Sequence, residues 1–268
     1  MKRNSQAYWE KRIQEQTDKA YAHTVKQTQE ELASIYKDTA EDLQAEILKV
    51  YAKVQDAAEG EVLVNDFYRN KRYWDLLDRM NECLSSLGKK QIEITEPAIL
   101  ELYEKTLETI EGEVPDTLKG LGTTLSNFKT VDGKQALFQT WCLDGKNFSD
   151  RVWADKDSML SELKRELSRC IVQGTSPWKS AERVASRLGV SENNAYRLLR
   201  TETAHAQIYA KVEKYKQYGI TQARWIAASS CCEECQEHDG ETYAIDKIQT
   251  MLPAHPNCRC SFAAVVPA

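Results

Sequence analysis

Cys232 and Cys235 form a C-x-x-C pair, and His255, Cys258 and Cys260 form an H-x-x-C-x-C cluster about twenty residues later. Thiolate sulfur and imidazole nitrogen are the donors that a tetrahedral Zn²⁺ takes. Two short clusters on either side of a loop let four of them converge on one ion. The candidate ligands are therefore Cys232 and Cys235 with two of His255, Cys258 and Cys260, and the candidate cofactor is one structural Zn²⁺. The competing reading is a set of reduced thiols in a packed tail, with a disulfide of the Cys235–Cys258 type forming only under oxidant. Cys231 and His238 are spare donors. Five of the eight cysteines lie in this tail, so it is the stretch whose chemistry the rest must position.

A catalytic metal is not expected. The H-x-E followed by P-C-x-x-C of zinc deaminases is absent, since here the C-x-x-C comes first. The H-E-x-x-H helix of metalloproteases is absent as well. Glu202 and His205, three apart on a helix, share a face and could exchange a proton as acid and base. Beside Arg200 they read better as a packing contact against the following strand. Residues 181–199, with a glycine between two helical stretches, arginines at 183, 187 and 197 and Arg200 just beyond, imitate a DNA-binding helix-turn-helix. A plain helical hairpin fits better, because a reading helix should offer more polar side chains to base edges. No catalytic residue and no enzyme activity is expected.

The elements that must carry these residues are mostly helices. Residues 1–59 contain no Pro or Gly, and apolar residues at Tyr21, Val25, Leu32, Ile35, Leu43, Ile47, Val50 and Val54 recur at helical spacing. This predicts one long helix, or two broken near Thr39. Its stripe packs on the rest of the chain or on another subunit. A helix from Val64 to Leu87 is expected to stop at Gly88, and another to restart at Pro97. Glycines at 112, 120, 122, 133 and 145 mark a joint over 112–147. Helices over 148–173, from Ser176-Pro177 to Leu188, and from a Ser191 cap to Gly219 follow, with Gly189 as a left-handed cap between the last two. Short β-leaning runs at 223–229, 241–243 and 260–266 then predict a small sheet. The six tryptophans are expected to anchor the core.

The fold class is α+β, mainly α: an extended N-terminal helical arm, then a helical domain ending in a small antiparallel sheet with a Cys/His-rich knuckle. The expected divisions are an N-terminal helical region at 1–111, the joint at 112–147 and a C-terminal domain at 148–268. With 29% charged residues and a net charge of −5, nothing marks the whole chain for nucleic acid, so any contact with DNA is local. No apolar run approaches membrane-spanning length and no apolar leader follows the N-terminus, so neither a membrane nor export is expected.

Arg200-Thr201-Glu202, Trp225-x-Ala227, C-x-x-C at 232–235, Asp239-Gly240 and P-x-H-P-N-C-R-C at 253–260 together resemble the phage head morphogenesis domain. Phage Mu F-like and SPP1 gp7-like minor head proteins share that domain. The resemblance covers roughly 145–266, and the N-terminal helices look like the leading part of the same proteins. It implies a minor capsid protein present in few copies inside the procapsid, near the portal in the virion and in the host cytoplasm during assembly. The implied partners are the portal protein and other capsid or scaffold proteins, with a local contact to viral DNA and no small-molecule substrate. The implied roles are head assembly, DNA packaging or ejection, with the long apolar stripe as the partner surface. The alternative function is a zinc-stabilised DNA-binding protein using residues 177–200.

Overall fold

The computed structural model describes residues 6–57, 67, 71–114, 116, 138, 140, 141 and 145–265. The helices whose bounds are described come first: α1 (Gln6–Ala57), α2 (Lys71–Glu113), α3 (Phe148–Val172), α4 (Pro177–Ser186) and α5 (Leu188–Gln217). A compact tail follows as β1 (Gln222–Ile226), α6 (Glu233–Glu237), β2 (Thr242–Ala244), α7 (Ile245–Met251) and β3 (Ser261–Val265). The chain is thus mainly helical, with a three-stranded antiparallel sheet ordered β2-β1-β3. The expected helix start at Val64 and most of the joint at 112–147 lie outside the described residues.

α1 runs without a break through Thr39. The Thr39 hydroxyl donates to the Ile35 carbonyl, which keeps a β-branched polar residue inside the helix. Leu32, Tyr36, Leu43, Ile47 and Val54 are all buried within this chain. The apolar stripe is therefore spent on internal packing and is not a free surface for a partner.

The expected stop at Gly88 and restart at Pro97 do not occur, because α2 continues through both. Gly88 is there for close packing: a Cβ would come within 2.9 Å of the Trp153 ring on α3. Pro97 removes one helix hydrogen bond, a cost that Ile99, Leu102 and Tyr103, all buried just beyond it, offset. Gly189 is not a left-handed cap either. The break between α4 and α5 falls at Arg187, in right-handed conformation, and both Gly189 and Ser191 lie inside α5. Gly174 and Gly219 do end their helices with positive φ, at 60° and 73°. Of the tryptophans, Trp9 and Trp225 are core residues, whereas Trp74 and Trp178 are exposed. Their apolar spacing on a helix does not by itself say that the face is covered.

The chain forms two compact units. One draws on residues 1–28, 95–148 and 197–268, the other on 29–94 and 149–196. The core of the first joins Trp9 and Ile13 of α1, Ile110 of α2, and Ile208, Val212 and Tyr215 of α5 to Trp225, Ile248 and Phe262 of the tail. β1 is its central strand, paired with β2 through Ala223↔Tyr243 and with β3 through Trp225↔Phe262. In the second unit Tyr36, Met80, Leu84, Leu87, Val152, Leu163, Leu167 and Val184 are buried.

Candidate metal centre

α6 is a single short turn of helix with Cys232 at its N-cap and Cys235 buried one turn on. This is how a C-x-x-C pair directs both sulfurs to one side. The second cluster lies in the turn before β3. There Asn257 adopts φ 64°, and the Cys258 N–H closes back onto the His255 carbonyl at 3.0 Å. Asn tolerates the left-handed conformation that this turn requires. The turn is tied to α5, since the Asn257 N–H donates to Thr201 Oγ at 3.1 Å.

The five expected donors fall into two groups that share Cys235. Cys232 Sγ and Cys235 Sγ each lie 3.5 Å from His255 Nε2. The atoms of Cys232, Cys235 and His255 fall within 4.8 Å of one another, as do the sulfurs of Cys235, Cys258 and Cys260. With Zn–S of about 2.3 Å and Zn–N of about 2.0–2.1 Å, the S···N edge of a tetrahedron is roughly 3.6 Å. The observed spacing therefore suits zinc. His255 is also in the right tautomer. Its Nδ1 lies 3.0 Å from the Pro256 carbonyl, which can only accept, so Nδ1 carries the proton and the Nε2 lone pair faces the sulfurs. Cys260 Sγ in turn accepts the Ala228 N–H at 3.5 Å, a bond that favours thiolate.

Burial pushes the Cys235 thiol far above its ordinary range, and the neighbouring Cys232, Cys258 and Cys260 push it further. Cys260 is raised too, chiefly by burial. The grouping of these sulfurs with His255 Nε2 could hold a metal ion. The spare donors stand aside. Cys231 Sγ contacts Gln236, and His238 Nδ1 bonds the Tyr243 hydroxyl at 2.8 Å beside the Trp225 ring.

Several residues that hold this site have no signal in the sequence. Arg259 lies between the two cysteines, stacks on the Tyr21 ring at 3.3 Å and donates to Asp18 at 3.0 Å. Lys211 is fully buried and donates to Ser261 Oγ at 2.7 Å and to Gln14 Oε1 at 3.0 Å. Asp239 and Gly240 do more than turn the chain. The Asp239 carboxylate accepts the Ala227 N–H at 2.8 Å, and Gly240, at φ 81°, donates to the Trp225 carbonyl. The W-x-A and D-G strings are thus halves of one hairpin.

The other constellations show packing chemistry. Glu202 accepts the Trp141 indole N–H at 3.0 Å, and His205 stacks on that indole at 4.3 Å, both shut from solvent. Lys156 Nζ donates to Ser191 Oγ at 2.9 Å and bonds Tyr36, a Ser–Lys pair in form. All three are buried. In the helix-turn-helix-like stretch a single residue separates α4 from α5, and Ala195 and Leu199 are buried.

Residues 161–263 match the family model described as phage Mu protein F like protein. That stretch, from α3 to β3, is phage Mu F-like. It holds every donor of the cluster, and over these residues the chain is similar to phage Mu F-like proteins. Comparison with curated proteins and with solved structures found no match. No described helix is long and apolar enough to cross a membrane.

Proposed function

We propose that this chain is a minor head protein of a phage, without enzymatic activity, that binds the portal protein inside the procapsid and supports head assembly, DNA packaging or ejection. The observation that carries the proposal is the Mu F-like match over 161–263, whose strings fold into one hairpin and one Cys/His cluster. In this reading the cluster is a structural staple. Cys232, Cys235, His255 and either Cys258 or Cys260 hold one Zn²⁺, whose bonds would lock α6 and the β3 turn onto the sheet. Such a lock would add to the packing of Trp225, Ile248 and Phe262, which already join the tail to the core of the first unit. The partner surface is one other than the apolar stripe of α1, which the chain covers itself.

The test is co-expression with the portal protein of the same phage, followed by sedimentation of assembled portal rings. Co-sedimentation of this chain, retained in Arg183→Ala, is the expected result. A chain that sediments alone in the presence of portal rings and of procapsids overturns the reading.

A further inference from the structure

The geometry points to a phosphate-binding site in the open cavity of about 300 Å³ walled by Glu166, Arg169, Arg183, Ser186, Arg187 and Val190, distinct from the Cys/His centre. This inference is independent of the head-protein reading. The cavity holds three guanidiniums around one carboxylate. Glu166 lies at the bottom, with a side chain only 6% exposed, while those of Arg169 and Arg187 are 52% and 42% exposed. The acid is the floor and the cations form the open rim.

Glu166 engages each neighbour through one nitrogen. Arg169 Nη2 donates to both carboxylate oxygens at 2.8 and 2.7 Å, and Arg187 Nη2 donates to Oε2 at 3.1 Å. A guanidinium presents five N–H donors in a planar fork, so most of each fork remains for another acceptor. Arg183 adds a third fork, held among the described residues by a long 3.4 Å bond to Gln173. Burial raises the Glu166 pKa, but hydrogen bonds from Arg169 and Arg187 outweigh it and hold the carboxyl below its ordinary range. Even with Glu166 ionised, the wall carries two positive charges in excess.

A compact tetrahedral oxyanion meets this demand, because its oxygens can each take a fork while its charge balances the excess. Val190 is the one apolar side chain of the lining, so nothing there would stack a base or hold an acyl chain. The recognised chemistry is the phosphate group itself, carried either as free inorganic phosphate or in a polynucleotide backbone.

Calorimetric titration of the full chain with inorganic phosphate, at ionic strength held constant with chloride, tests the site. A short duplex oligonucleotide forms the second arm. Arg183→Gln is the variant of choice because it leaves the Glu166 pairs untouched, and an unchanged melting midpoint in chloride verifies its fold. Saturable phosphate binding that weakens about tenfold or more in Arg183→Gln is expected from the loss of one charged fork. Duplex binding with the same Arg183 dependence, displaced by phosphate, assigns the group to a polynucleotide backbone. Phosphate binding with a duplex indifferent to Arg183 assigns it to the free ion. Absence of saturable phosphate binding together with duplex indifference to Arg183, or phosphate binding unchanged in Arg183→Gln, overturns the proposal.

Discussion

Lys211 carries its ammonium where burial is complete, and burial pushes its pKa down to about 8 from the ordinary 10.5, against a raising effect of Asp18 and with a further lowering by Arg259. The unfolded chain keeps the proton up to the ordinary value. Between about pH 8 and 10.5 the unfolded state therefore binds more protons than the folded one, and stability rises with pH across that window. Below it, the folded state bears the cost of a buried charge, met in part by the bonds to Ser261 and Gln14. Lys211→Met should flatten this rise, as read by melting midpoints of both proteins from pH 7 to 10.5. An identical slope in the variant would show that other groups carry the pH dependence. The sequence offers no hint of this lysine. It sits on a helix among Glu213, Lys214 and Lys216 and looks like one more solvated charge.

Among the elements, α2 shows why punctuation residues mislead. Gly88 and Pro97 are the residues that stop a helix locally, yet α2 passes through both. A glycine costs a helix only about 1 kcal/mol relative to alanine, and packing that needs a bare backbone outweighs that. The Trp153 ring occupies the space where a side chain would stand. Gly88→Leu should therefore lower stability by about 1–3 kcal/mol despite the better helix former, as overpacked sites do. Denaturant unfolding measures it, and a variant as stable as the parent would mean that the α2–α3 contact yields freely. The break at Arg187 reflects the same competition. Gly189 and Ser191 suit a cap, but the Ser191 hydroxyl is drawn to Lys156 and Asp155 instead.

For the whole molecule, the tail is where a bound ion would add to stability. Cys235, Cys258 and Cys260 belong to the same core as Tyr215 and Phe262, so an ion at these sulfurs is linked to the packing around them. Zinc bound only by the folded state adds about 4 kcal/mol when free zinc stands a thousandfold above its Kd. The purified, reduced chain should hold about one zinc per molecule. A strong chelator should lower the melting midpoint while leaving most helical circular dichroism in place, and Cys235→Ser should lose metal and midpoint together. Comparing Cys258→Ser with Cys260→Ser identifies the fourth ligand by which substitution releases zinc. A metal-free protein indifferent to chelator would leave the cluster as packed thiols.

The grouping of the Cys and His residues, the small sheet and the helical character of the rest were legible because each depends on short-range order. A C-x-x-C pair needs one turn of helix to align its sulfurs, and a D-G step needs one positive φ at Gly240. The period of Leu32, Leu43, Ile47 and Val54 lies within one helix. What covers that stripe was not legible, because burial depends on chain segments far away in sequence. The same holds for the bare face at Gly88, the exposure of Trp74 and Trp178, the arginine rim over Glu166, and the Arg259 and Lys211 contacts to α1. Apart from the neighbouring Arg169–Glu166 pair, these contacts join side chains far apart in sequence, and the exposed tryptophans are what such packing leaves uncovered.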